Sequence, residues 1–321
     1  MNKIESAIVN SSIATYIRNK SKHIILPGFE RVPLYDVVMF FAKQMNKVGI
    51  NDRAAAVSFN FLMAIPAGTI FLCTLIPYMP ISSEITIELL DLAKMFTPDE
   101  NTYGMIANFL NDFLNTPRSG LLSLGFVVAV YYASNSVMAL MRSFNRSLHS
   151  YKERGFVNER WTAIKLTTVL IIMLMVTVTL LVTQGELFQY IMETLDIKNN
   201  LVRQLLYSVR WVIIILLILY SIGFIYKYAP AITKRWKLAS PGAIFATFLV
   251  VLSTFAFSYY VNNFGSYNKV YGSIGTIMIL MFLIYLNSLI LLIGYELNVC
   301  IHSLKAVAEE REENHNYEKV S

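Results

Sequence analysis

Charge is in short supply in this chain. Of its 321 residues only 15% are Asp, Glu, Lys or Arg, against about 25% in a soluble domain of ordinary composition. Histidine is scarcer still: His23, His149, His302 and His315 stand apart, with no H-x-x-x-H or H-x-H-x-D spacing. Metal-dependent hydrolysis needs ligands converging at such intervals, so no metal centre is expected. No P-loop, G-x-S-x-G or C-x-x-C run occurs, which argues against an ATPase motor and the common hydrolases and leaves no cofactor to expect. Cysteine is limited to Cys73 and Cys300, near opposite ends of two different apolar runs, too far apart for a disulfide and read as buried apolar fillers. Residues 1–32 have basic residues but no apolar signal-peptide core, so the first apolar run is expected to act as an uncleaved insertion signal.

What the chain has instead is apolar length. Hydrophobic residues make up 55% and the mean hydropathy is +0.51. They fall in blocks of about 20 residues, the length of a helix that crosses a bilayer. Six such spans are read at about 53–79, 120–141, 162–183, 207–226, 240–262 and 272–300. The fold expected is therefore an all-α polytopic integral membrane protein. A segment 1–32 precedes the membrane domain 33–304, and a charged tail 305–321 follows it.

The net charge of +6 and the pI near 9.1 invite a nucleic-acid reading, which the distribution of charge removes. Segments 1–52, 142–161, 227–239 and 301–321 lie on one side by parity and hold nineteen Lys and Arg, whereas 80–119, 184–206 and 263–271 hold five. That bias is the positive-inside pattern, so both termini are expected in the cytoplasm and no nucleic acid is expected as a partner. Membrane lipids, and either an envelope protein or a second copy, are the partners left.

Between the spans, residues 33–48 place Leu34, Val37, Val38, Phe41, Met45 and Val48 on one helical face. This amphipathic helix either lies along the membrane surface or packs on the ends of the bundle. Loop 80–119, with six acidic and two basic residues, reads as two external helices. One carries Ile85, Leu89, Leu92 and Phe96. The other opens at a Thr97-Pro98-x-Glu100 capping box and carries Tyr103, Ile106, Ala107, Leu110, Phe113 and Leu114. Pro66 predicts a kink in the first span. Ser240-Pro241 should open the fifth, and Gly242 with Ala246 should bring a neighbouring helix close. The tail is expected to fray.

The residues that could carry chemistry are polar groups at membrane depth. Ser58 and Asn60, Ser134, Asn135 and Ser136, and Asn287 and Ser288 fall inside spans, while Arg53, Arg142, Lys165 and Glu296 gather near the basic boundary. Arginine and lysine can snorkel to water. A carboxylate at a helix end cannot reach far, so Glu296 is expected to pair with Arg53 or Arg142. Asn135, Asn287, Arg142, Glu296 and Arg53 are the candidates for a substrate path, with helix-to-helix glue as the alternative. On the other side, "VNNFGSYNKVYGSIG" (261–275) reads as a tight turn using Gly265 and Gly272, with tyrosines at the interface. Its Asn262, Asn263, Tyr267 and Asn268 are candidates to bind sugar or headgroup hydroxyls.

"FGSYNKVYGSIGTIMILMFLIYLNSLILLIGYELN" (264–298) closely resembles the C-terminal signature of the YihY/virulence factor BrkB family of bacterial inner-membrane proteins. "RAAAVSFNFLMAIP" (53–66), "NSVMALMRSFNRSL" (135–148) and "WKLASPGAIFAT" (236–247) resemble its other blocks in the same order. Asn60 departs from the pattern, where a tyrosine or other large residue is expected. The resemblance implies six spans in the bacterial cytoplasmic membrane and a history of the ribonuclease BN label, which the scattered histidines do not support. It also implies a part in moving lipid or envelope precursors, with no site residues to transfer. The function expected is a non-ATP-driven, non-enzymatic transporter of an anionic lipid or envelope component. A scaffold docking a partner through helices 83–115 is the alternative, and a membrane-embedded hydrolase a distant third.

Overall fold

A computed structural model describes the backbone of residues 20–21, 24, 28–29, 32–47, 49–78, 86–87, 90–91, 94, 100–148, 154–182, 200–232, 235–263 and 266–320. Among these residues the chain forms helices α1 (Leu34–Lys47), α2 (Ile50–Leu75), α3 (Glu100–Asn115), α4 (Ser119–Asn145), α5 (Phe156–Val182), α6 (Asn200–Tyr228), α7 (Pro241–Asn263) and α8 (Ser266–Val320), and no strand. Six of them, α2 and α4 to α8, are long and apolar enough to cross a membrane. The protein is all-α and polytopic, as its apolar blocks require: in hydrocarbon every backbone N–H and C=O has to be satisfied within its own segment, and a helix does this.

The spans pack in a closed circuit, α2 on α4, α4 on α5, α5 on α6, α6 on α7, α7 on α8 and α8 back on α2, with α8 also touching α4. The large buried core lies toward one end of that circuit. The core draws on Ala54 and Val57 of α2, Leu140, Met141 and Phe144 of α4, Leu166 of α5, Tyr226 of α6, Ala246 of α7 and Leu292 and Tyr295 of α8. Those of α2, α4, α6 and α7 sit toward the helix ends that the basic segments join, and Leu292 and Tyr295 lie about midway along α8. Phe144 stacks on Tyr295 at 4.0 Å and meets Tyr226 edge-on at 5.7 Å, while Trp236 reaches Tyr295 from the α6–α7 connection at 5.2 Å. Rings at these distances add to the burial of their area. Toward the other end Leu72, Leu124, Leu174, Trp211 and Phe255 are exposed, as suits helix surface facing lipid.

Small residues set the α7–α8 contact. Ser240 caps α7, its Oγ accepting from the Ala243 N–H at 3.4 Å, and Pro241 takes the first helical position. A methyl group on Gly242 would overlap the Gly294 carbonyl oxygen, and one on Gly294 would come within 2.7 Å of Ala246 Cβ. Asn298 closes the joint from α8: its amide oxygen accepts from the Gly242 N–H and its amide nitrogen donates to Ser240 Oγ, both at 2.8 Å.

At the end of α6 the Arg154 guanidinium donates to the carbonyls of Ala229 at 3.1 Å, Pro230 at 3.0 Å and Tyr228 at 3.5 Å. These carbonyls have no partner within the helix. Partial burial, then the nearby Arg235, holds the Arg154 pKa below the usual arginine range, and Glu159 works in the opposite direction.

Helix α1 packs on the bundle, the second of the two readings its pattern left open. Val37 is fully buried and packs with Phe29, Val32 and Ile301 against α8, while Val38 and Met39 stay exposed beside it. Helix α3 covers Leu114 completely and leaves Met105 exposed, and it packs on α2 and on the 3-10 turn Ile76–Tyr78. The capping box at Thr97, and the stripe Ile85, Leu89, Leu92 and Phe96, lie outside the described residues. Helix α2 runs unbroken through Pro66.

Three expectations need correction. The tail does not fray: α8 continues as one helix of 55 residues to Val320. Residues such as Lys305, Ala306, Ala308, Glu309 and Glu310 are strong helix formers, Lys305 pairs with Glu309 at 3.7 Å, and elongating an existing helix needs no new nucleus. Gly272 is not in a turn but inside α8, where a glycine costs about 1 kcal/mol and the flanking helical run tolerates it. Cys300 is buried as expected, but Cys73 is only half-buried; both are free thiols.

Candidate functional site

Glu296 lies at zero exposure where the middle of α8 meets the ends of α2 and α4. Its Oε1 accepts from Arg53 Nη1 at 2.8 Å and also from Ser147 Oγ. Arg53 extends the knot by donating from Nη2 to the Ser143 carbonyl at 2.6 Å. The pair is thus a three-helix staple, with Arg53 almost as buried as its partner. Glu296 Oε2, Arg53 Nε and the Tyr295 hydroxyl find no partner among the described residues.

Arg142 does not join it. It leaves the opposite side of α4, where Nε and Nη2 donate to the two carboxylate oxygens of Glu159 on α5 at 3.0 and 3.3 Å. The core face of α4 is Val137, Leu140, Met141 and Phe144, whereas Tyr131, Asn135, Met138, Arg142 and Arg146 follow one another at helical spacing on a second face. That second face is the back wall of a cleft of about 660 Å³. Arg53, Ala56 and Asn60 of α2 form one side, and Phe156 and Arg160 of α5 the other.

Arg160 is the residue that sequence reasoning missed. It donates from Nη1 to Asn135 Oδ1 and from Nη2 to the Tyr131 carbonyl at 3.4 Å, and its guanidinium lies 4.3 Å from the Tyr131 ring centroid. All three partners are neutral. Asn135 stands ten residues before the end of α4, about 15 Å along the axis, so this guanidinium reaches from the first turns of α5 back onto the middle of α4. The Arg146 side chain, one turn beyond Arg142, has no carboxylate partner among the described residues.

The predicted site residues therefore divide. Arg53, Asn135 and Arg142 line the cleft together, with Asn60. Glu296 sits behind the cleft and holds Arg53. Asn287 belongs elsewhere: its amide donates to the Leu283 carbonyl at 3.0 Å and its oxygen accepts from Ser253 Oγ at 3.3 Å, joining α8 to α7. Ser134 and Ser58 bond back to carbonyls of their own helices, Ser136 reaches the Asn60 carbonyl at 2.8 Å, and Lys165 lies over Trp161. The side chains of Asn262, Asn263, Tyr267 and Asn268 lie outside the described residues. No group of three or more His, Cys, Asp or Glu able to hold a metal occurs among the described residues.

A family described as "Virulence factor BrkB" matches residues 41–319. The chain is 29% identical to the ribonuclease-like protein YfkH of Bacillus subtilis strain 168, over 81% of this chain and 92% of that one. It is 22% identical to a UPF0761 membrane protein of Haemophilus influenzae over 83% of this chain and 95% of the relative. A further UPF0761 membrane protein, from Pseudoalteromonas translucida, is 42% identical over 25% of this chain and 27% of its own. No solved structure matches the chain.

Proposed function

Since the chain belongs to the virulence factor BrkB family of multi-pass membrane proteins, we propose that it binds an anionic lipid or envelope precursor and moves it without ATP. The basic end of the bundle then faces the cytoplasm, and the protein is not an enzyme. The supporting observation is Arg160. An arginine turned toward an apolar bundle rather than toward water is uncommon, and such residues recur where they line a substrate path or meet a counter-ion. Among the described residues no carboxylate pairs with it, and the guanidinium faces a cleft whose walls mix arginine and asparagine with Ala56, Met138 and Phe156. A headgroup can sit against the cations while its chains stay on the apolar side.

The scaffold reading gains less. The apolar face of α3 is already turned onto α2, with Leu114 fully covered, which reduces what it offers a partner.

The test is reconstitution in vesicles carrying a fluorescent anionic lipid in one leaflet, with leaflet exchange followed by chemical quenching. Exchange above protein-free vesicles is expected for the intact chain and should fall at least tenfold for Arg160→Gln. An intact protein that neither exchanges nor retains anionic lipid would overturn the reading. Replacing residues 83–115 by a Gly/Ser linker should leave exchange unchanged, whereas loss there alone would favour docking.

A further inference from the structure

We propose that the α2–α4–α5 cleft is matched to a headgroup bearing two negative charges, a phosphomonoester or a diphosphate, in preference to a singly charged phosphodiester. This rests on the reading of the cleft as an anion-binding seat and narrows its ligand. Among the described residues four arginines line the cleft, Arg53, Arg142, Arg146 and Arg160, and no carboxylate does. Two of the four are neutralised from behind: Arg53 by Glu296 at 2.8 Å, and Arg142 by the two oxygens of Glu159. Among the described residues the other two are not: the polar contacts of Arg160 are an amide, a carbonyl and a ring, and Arg146 has no ion pair. Guanidinium stays protonated at any physiological pH, so two positive charges remain for the ligand to balance.

Geometry fits an extended dianion. Arg146 follows Arg142 by one turn of α4, and Arg160 is held by Asn135 about two turns from Arg142. The cations thus form a column along one wall, and Arg142 still has an Nη1 group that makes no bond to Glu159. Arginine forks suit phosphate oxygens, and near an apolar bundle an uncompensated charge is felt more strongly than in water. A phosphodiester would leave one cation unbalanced, whereas a phosphomonoester carries about −1.5 to −2 near neutral pH and a diphosphate a similar or larger charge.

The experiment uses the full chain in nanodiscs of phosphatidylcholine doped at equal mole fraction with phosphatidic acid or phosphatidylglycerol, with bound lipid counted by native mass spectrometry. At least tenfold preference for phosphatidic acid is expected. Arg146→Gln and Arg160→Gln should each bring the ratio toward one while phosphatidylglycerol still binds, and Arg160→Lys should keep most of the preference. Inorganic phosphate and pyrophosphate are added as competitors. Displacement of phosphatidic acid by millimolar pyrophosphate alone would assign the seat to free anions as well as lipids, and no displacement assigns it to the anchored headgroup. Equal binding of the two lipids would overturn the dianion assignment and leave anionic-lipid binding standing. Failure of both to exceed phosphatidylcholine would overturn the two together.

Discussion

At Arg53 and Glu296 two charges that would each be unfavourable in an apolar bundle are kept by one another. Removing one partner of a buried pair strands the other and costs about 3–5 kcal/mol, whereas replacing both by apolar residues of similar volume is often close to neutral. Glu296→Gln is therefore expected to lower the melting temperature in detergent sharply, and Arg53→Met with Glu296→Leu to recover most of that loss. A double variant as unstable as the single one would show that the hydrogen bonds to Ser143 and Ser147 matter more than the ion pair. The existence of the pair was legible in the sequence, because a glutamate at a span end has too short a reach to leave the bundle. The choice of Arg53 over Arg142 was not. It depends on the rotation of α4, which turns Leu140, Met141 and Phe144 inward and carries Arg142 to the other face. Arg160 escaped notice for a related reason: its partners Asn135 and Tyr131 are more than twenty residues away, and alone it reads as an ordinary cation at a helix start.

Helices and their ends were the most readable elements, since length, capping residues and apolar spacing act locally. Ser240, Pro241 and Gly242 announced both the start of α7 and its close neighbour. The neighbour's own contribution, Gly294, was hidden in an unbroken apolar run. Backbone approach makes a sharp prediction here. Gly242→Ala and Gly294→Ala each force a methyl group onto backbone or Ala246 and should destabilise the bundle by about 1–3 kcal/mol or more. Gly125→Ala is the control, because its new methyl would meet only ordinary contacts, the nearest at 3.6 Å from Phe71. Thermal unfolding of the three variants in one detergent decides it. Equal stability for all three would mean that α7 and α8 can slide apart without loss.

At the scale of the whole molecule, the buried core, the aromatic cluster, the Arg53–Glu296 staple and the arginine cleft all lie toward the same end of the circuit. That is also the end to which the lysine- and arginine-rich segments connect. The positive-inside bias of nineteen to five is counted over segments beside the spans, the setting in which it governs orientation. Reporters fused at the C-terminus should therefore score cytoplasmic, and reporters inserted at Thr97 external. The orientation carries a mechanistic consequence, because the cleft runs along α4 from Arg146 to Asn135, roughly 15 Å. With the basic end inside, headgroups enter from the inner leaflet, and labelled anionic lipid placed there should bind before lipid placed outside. If the reporters score the other way round, the cleft opens to the outer leaflet, the order of binding reverses, and inward rather than outward movement becomes the direction to measure.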